Sequence, residues 1–120
     1  MKKLFAIIAL ALAALAPPAL ASHDPVSQKC GVLTNVIFIA RVMKIEGVED
    51  AKADKVLGHL FEVTGDPKDA TVRQAAADMV AVVGAARAAK TPPMETAATF
   101  SMLCSMTGGD VTIAIGGIGI

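Results

Sequence analysis

Few residues of this 120-residue chain can do chemistry, and they are two cysteines, two histidines and a group of methionines near the C-terminus. Cys30 and Cys104 stand apart, neither in a Cys-x-x-Cys pair nor beside a histidine, so nothing in the sequence marks either as a reactive thiolate. If the chain is exported, as its first residues indicate, an isolated pair reads as a disulfide. Such a bridge closes about 75 residues, worth roughly 4 kcal/mol by chain-entropy reasoning. His59 precedes Glu62 by three residues, a spacing that can set a base beside an orienting carboxylate. The same spacing more commonly makes a surface contact on a helix, and that reading is preferred.

Metal chemistry has two candidate donor sets. Met102, Cys104 and Met106 lie close together, and soft sulfur selects copper(I). On a helix Met102 and Met106 share a face while Cys104 points elsewhere, and methionine mainly fills irregular cores, so these methionines are expected inside. His23 becomes the second residue if cleavage follows Ala21, whereas a square-planar copper(II) chelate wants an imidazole in third place. No metal and no cofactor is therefore expected. Glu49 and Asp50 are adjacent on a predicted helix and diverge, which rules them out as an acid–base pair. No Gly-x-Ser-x-Gly, His-Glu-x-x-His or phosphate-cradling glycine loop occurs in the chain. The inventory argues against an enzyme.

The elements that must position these residues read as helices. Asp24-Pro25 is a helix start, an acceptor side chain followed by a residue whose missing N–H is not needed. Val26, Cys30, Leu33, Ile37 and Ala40 then recur at three- and four-residue spacing until Gly47. The stretch from Val32 to Ala40 is apolar nearly all round, which suits a central helix or one covered by a partner. A second helix is expected from Glu49 to Val63, with Ala53, Val56, Leu57, Leu60 and Phe61 on its apolar face. Asp66-Pro67 repeats the start pattern for a third helix reaching Ala89, with a stripe of Val72, Ala75, Ala76, Met79, Val82, Val83 and Ala86. Thr91-Pro92-Pro93 opens a fourth, through Met106, with Met94, Ala97, Ala98, Phe100, Leu103 and Cys104 inward. Short connections predict antiparallel neighbours. The expected fold class is all-α: a small antiparallel bundle of about four helices with one disulfide, plus an apolar Gly-rich C-terminal tail. In that tail Val111, Ile113 and Ile115 alternate like a strand that has no ladder partner. It is expected either to fray or to add as a strand to a partner or to a second copy.

The N-terminus sets the compartment. Lys2 and Lys3, an apolar run of about 13 residues from Leu4, and Ala19-Leu20-Ala21 form a secretory leader. The run falls short of the roughly 20 residues of a membrane helix, so no stable membrane span is expected after cleavage. The organisation is then a signal peptide over 1–21, a helical domain over 22–107 and the tail over 108–120. The location is periplasmic or secreted. Without Lys2 and Lys3, nine bases face eleven acids, a net charge of −2. A slightly acidic domain with no basic run and no Tyr or Trp offers no footprint for nucleic acid.

A cysteine on the first helix, Arg41 and Met43 before Gly47, a proline pair, and then Phe100 and Cys104 resemble small exported helical proteobacterial proteins of uncharacterised role. The pattern is also similar to the HdeA/HdeB acid-stress chaperones and to periplasmic immunity proteins that block secreted cell-wall amidases. Those groups imply a small, disulfide-held helical domain that acts by binding. The function expected is a binding protein that works through a helical protein–protein surface, immunity- or inhibitor-like, by capture of a protein partner or by self-association. Ile37, Ile39, Val111, Ile113 and Ile115 are the candidate partner surface, as surplus apolar positions. The alternative is an acid-stress chaperone, because acid would leave the chain strongly positive and loosen a marginal bundle.

Overall fold

The computed structural model describes residues 24–118; the expected leader, His23 and Ile120 lie outside the described residues. The described chain is all-helical, with five helices: α1 (Pro25–Ile45), α2 (Asp50–Leu60), α3 (Ala70–Ala88), α4 (Pro93–Met106) and α5 (Val111–Ile118). Each boundary has a local cause. Asp24 Oδ1 accepts from the Val26 N–H at 3.1 Å, with Pro25 in the first turn. At the other end of α1, Gly47 adopts φ +79°. Its N–H reaches the Lys44 carbonyl and the Val48 N–H reaches that of Met43, which satisfies two carbonyls the helix leaves open.

The start of α3 corrects the sequence reading. Asp66 Oδ1 accepts from the Lys68 N–H within a turn, and it is Asp69 that caps the helix by accepting from the Thr71 N–H at 2.7 Å. Pro67 therefore shapes the turn before the helix. The fourth expected helix keeps its bounds, although Met94 and Ala98 of its expected inward face are exposed, and Thr96 locks its entry. Buried Thr96 bonds through Oγ1 to the Thr91 and Pro92 carbonyls. Arg41 Nε donates to the same Thr91 carbonyl at 2.9 Å, so α1 is tied to the α3–α4 corner.

The core gathers around α1, which packs most extensively against α4 and α3. Val36, Ile37, Val82, Ala86, Phe100, Cys104 and Ala114 form its fully covered centre. Packing between neighbours in sequence falls short of the expectation around α3, which makes no extensive contact with α4 or α2, while α1 packs only lightly on α2. Helix α2 buries only Ala53 and Leu57, too little apolar surface to compete for a central place. Val56 and Leu60 of its expected apolar face are exposed. Instead α2 is fastened by charge: Arg87 of α3 meets Asp50 and Asp54, and Lys44 of α1 meets Asp50.

The tail is also corrected. Gly108 and Gly109 adopt positive φ and turn the chain back, after which Asp110 accepts from the Ile113 N–H at 3.1 Å and starts α5. Val111, Ala114 and Ile118 face inward at helical spacing, and α5 packs on α4 and α3. The alternation at 111, 113 and 115 is real, but positions 111, 114 and 118 also fit a helix stripe. The returning chain can bury that stripe, whereas no strand lies among the described residues to pair with it. Cys30 and Cys104 are joined, with Cα atoms 5.8 Å apart, so α1 and α4 are stapled at the centre of the bundle.

Candidate functional site

The sequence-derived surface does not assemble as one patch. Ile37 is fully buried and Val111 nearly so, because α1 is the central helix and α5 folds onto α4 and α3. Ile39 and Ile115 are part-buried against the core, and Ile113 alone of the five is well exposed, at 52 %. Ile37 and Val111 therefore leave the candidate surface. The methionines move the other way. Met94, Met102 and Met106 were expected inside, yet Met102 is 55 % and Met106 75 % exposed, while Cys104 faces the core. The buried arc of α4 is already filled by Ala97, Phe100 and Cys104, which turns positions 94, 102 and 106 outward.

The catalytic spacing also dissolves. His59 lies in the last turn of α2, which ends at Leu60, so Glu62 is off the helix and no longer shares its face. Among the described residues no group of three or more His, Cys, Asp or Glu side chains converges on one point.

What the fold does build is a cleft of about 650 Å³ between the first half of α1, α3 and the segment leaving α2. Val32, Leu33, Phe61, Val63, Ala75 and Met79 make its apolar walls, with Leu60 at the edge. Val32 is 47 % exposed, so this wall meets solvent. A crevice of about 400 Å³ between α2 and α3, where Gly58 and Gly84 leave room, borders the cleft through Met79. Both openings follow from the loose seat of α2, whose short apolar face cannot fill the space beside α3.

One ion pair is set into the cleft wall. Lys29 Nζ lies 3.2 Å from Asp78 Oδ2, with side-chain exposures of 40 % and 10 %. Gln74 Nε2 donates to Asp78 Oδ1 at 2.9 Å, and Lys29 also donates to the Gly109 carbonyl at 3.1 Å. A carboxylate this covered needs such partners, since burying an unpaired charge is costly. Sequence reasoning missed Asp78, which occupies a place on the α3 stripe between Ala75 and Val82. A charge at helical spacing with core residues was the available sign. Chemically, the site offers apolar contact, one compensated ion pair and the side-chain amides of Gln28 and Gln74. That is equipment for binding.

No protein-family model, curated protein or solved structure matches the chain.

Proposed function

We propose that the protein is an exported binding protein, non-catalytic, whose site is the cleft between α1, α3 and the Leu60–Val63 segment, and that the cleft takes an apolar segment of a protein partner. The observation that carries this reading is an open, apolar-walled cleft of about 650 Å³ holding a compensated ion pair whose carboxylate is buried. Cavities of roughly 300–1,000 Å³ with apolar walls and a few placed polar groups are the usual form of a binding site. Export rests on the leader-like N-terminus and agrees with the Cys30–Cys104 bridge.

Val32→Asp tests the reading, because Val32 stands on the cleft wall and is half exposed. Immobilised protein should capture a partner from periplasmic extract, and V32D should lose it while keeping its helical circular dichroism. Capture unaffected by V32D would place the site elsewhere.

A second reading has its own support. All four ion pairs among the described residues use aspartate, and three of them fasten α2. An acid-stress chaperone has to open apolar surface, and α2, which buries only Ala53 and Leu57, is the element with least else to hold it. Hydrophobic-dye binding at about pH 2–3 with protection of a client protein is the expected result on that reading; an unprotected client would remove it.

A further inference from the structure

The Lys29–Asp78 pair carries more information about the occupant than the apolar walls do. The pair is neutral as a unit, and each member has bonding capacity left. An ammonium has three N–H donors; Lys29 gives one to Asp78 and one to Gly109. An ionised carboxylate has about four acceptor positions; Asp78 uses one on each oxygen, for Gln74 and for Lys29. The remaining titratable side chain of the lining is Glu62, which is exposed.

Charge therefore selects against ionic ligands of either sign. A carboxylate brought to Lys29 would also meet Asp78, and Glu62 would add to the repulsion. An ammonium brought to Asp78 would meet Lys29. Each would compete for a partner that is already bonded, and would be desolvated to do so. An uncharged group with one acceptor and one donor on the same side avoids both penalties; the C=O and N–H of one residue in an extended chain are such a group, its oxygen taking the third Lys29 N–H while its N–H goes to Asp78. Hydrogen bonds to charged groups are the stronger class, so one such group anchors the ligand in register.

We propose that the occupant of the cleft is an extended apolar peptide segment, anchored by the backbone N–H and C=O of one of its residues on the Lys29–Asp78 pair. The aliphatic side chains on either side of that residue fill the walls made by Val32, Phe61, Ala75 and Met79. The side-chain amides of Gln28 and Gln74 are further neutral partners for its backbone. This inference rests on the cleft being the binding site and adds the chemistry of what enters it.

The test is an amide-resonance NMR titration of the disulfide-bonded protein with four kinds of probe. These are a blocked Leu-Val-Leu tripeptide, its analogues with a single backbone amide replaced by an ester, laurate, and dodecylammonium, each below its aggregation concentration. The tripeptide should shift Val32, Ala75 and Asp78 saturably. One ester analogue, lacking the N–H that Asp78 would accept, should bind roughly tenfold more weakly, and both ionic probes should bind less tightly than the tripeptide. Equal binding of every ester analogue, or tighter binding of laurate or dodecylammonium, overturns the amide anchor while leaving the cleft as the site. No shift at the cleft with any probe overturns the cleft itself.

Discussion

Lys29 Nζ stands 3.2 Å from Asp78 Oδ2 and 3.1 Å from the Gly109 carbonyl, so a single ammonium joins α1, α3 and the turn that starts α5. Lys29→Met should leave the Asp78 carboxylate with Gln74 alone. Because Lys29 is 40 % exposed, solvent screens part of the pair, and the loss should be about 2 kcal/mol, below the range for a fully buried pair. Asp78→Leu paired with Lys29→Met should recover part of that loss, since replacing both partners strands no charge. Urea unfolding of the wild type, both single variants and the double variant gives the coupling. A coupling near zero would show that the pair is fully screened.

The Cys30–Cys104 bridge closes the chain over a sequence separation of 74, which corresponds to about 4 kcal/mol of lost unfolded-state entropy. Replacing both cysteines with alanine should lower the unfolding free energy by that order, plus a smaller packing loss, since both residues lie in the core. Because both are buried, a reductant should reach the bridge only when the bundle opens. Reduction by dithiothreitol should then slow in step with added stabilising osmolyte; a rate indifferent to stability would mean that the sulfurs are reached in the native state.

The helices most legible in the sequence are those with both a cap and an uninterrupted stripe. Asp24-Pro25 with Cys30, Leu33 and Ile37 marks α1, and Pro92-Pro93 with Phe100 and Cys104 marks α4; those same stripes bring the two cysteines together. Legibility fails where two periods fit one segment. Val111, Ile113 and Ile115 satisfy alternation, Val111, Ala114 and Ile118 satisfy a helix, and only the turn at Gly108–Gly109 together with the capping carboxylate of Asp110 decides between them. The cleft was illegible for a different reason. It arises from what α2 fails to fill, which depends on how helices distant in sequence are seated. An all-round apolar stretch such as Val32 to Ala40 does not say whether neighbours or solvent surround it. The structure buries Ile37 and leaves Val32 on the cleft wall.

Two adjacent glycines in α5 should respond in opposite ways to alanine. A Cβ on Gly116 meets nothing within 4 Å, whereas a Cβ on Gly117 would sit inside the Leu103 Cδ1 methyl of α4. Gly116→Ala should stabilise by up to about 1 kcal/mol through helix propensity alone. Gly117→Ala receives the same propensity gain but must turn the part-buried Leu103 side chain or lift α5, at a cost of about 1–3 kcal/mol. Thermal unfolding should therefore rank G116A above wild type and G117A below it. The reverse order would mean that α5 does not lie closely on α4.

Arg87 should control the seating of α2 more than the stability of the molecule. Its guanidinium meets Asp50 at 3.3 Å and Asp54 at 2.6 Å, and also donates to the Asp50 carbonyl. Both aspartates are more than half exposed, so these pairs together contribute about 1 kcal/mol or less to global stability. Their effect is concentrated on one element, because α2 buries only Ala53 and Leu57 and has little else to hold it. Arg87→Gln should raise hydrogen exchange across Asp50–Leu60 severalfold while leaving α1 and α4 protected, a local opening well below the global one. Since α2 borders the α2–α3 crevice and leads into the Leu60–Val63 wall of the cleft, the same variant should also bind more hydrophobic dye at neutral pH. Uniform loss of protection across all five helices would instead make α2 an integral part of the cooperative core.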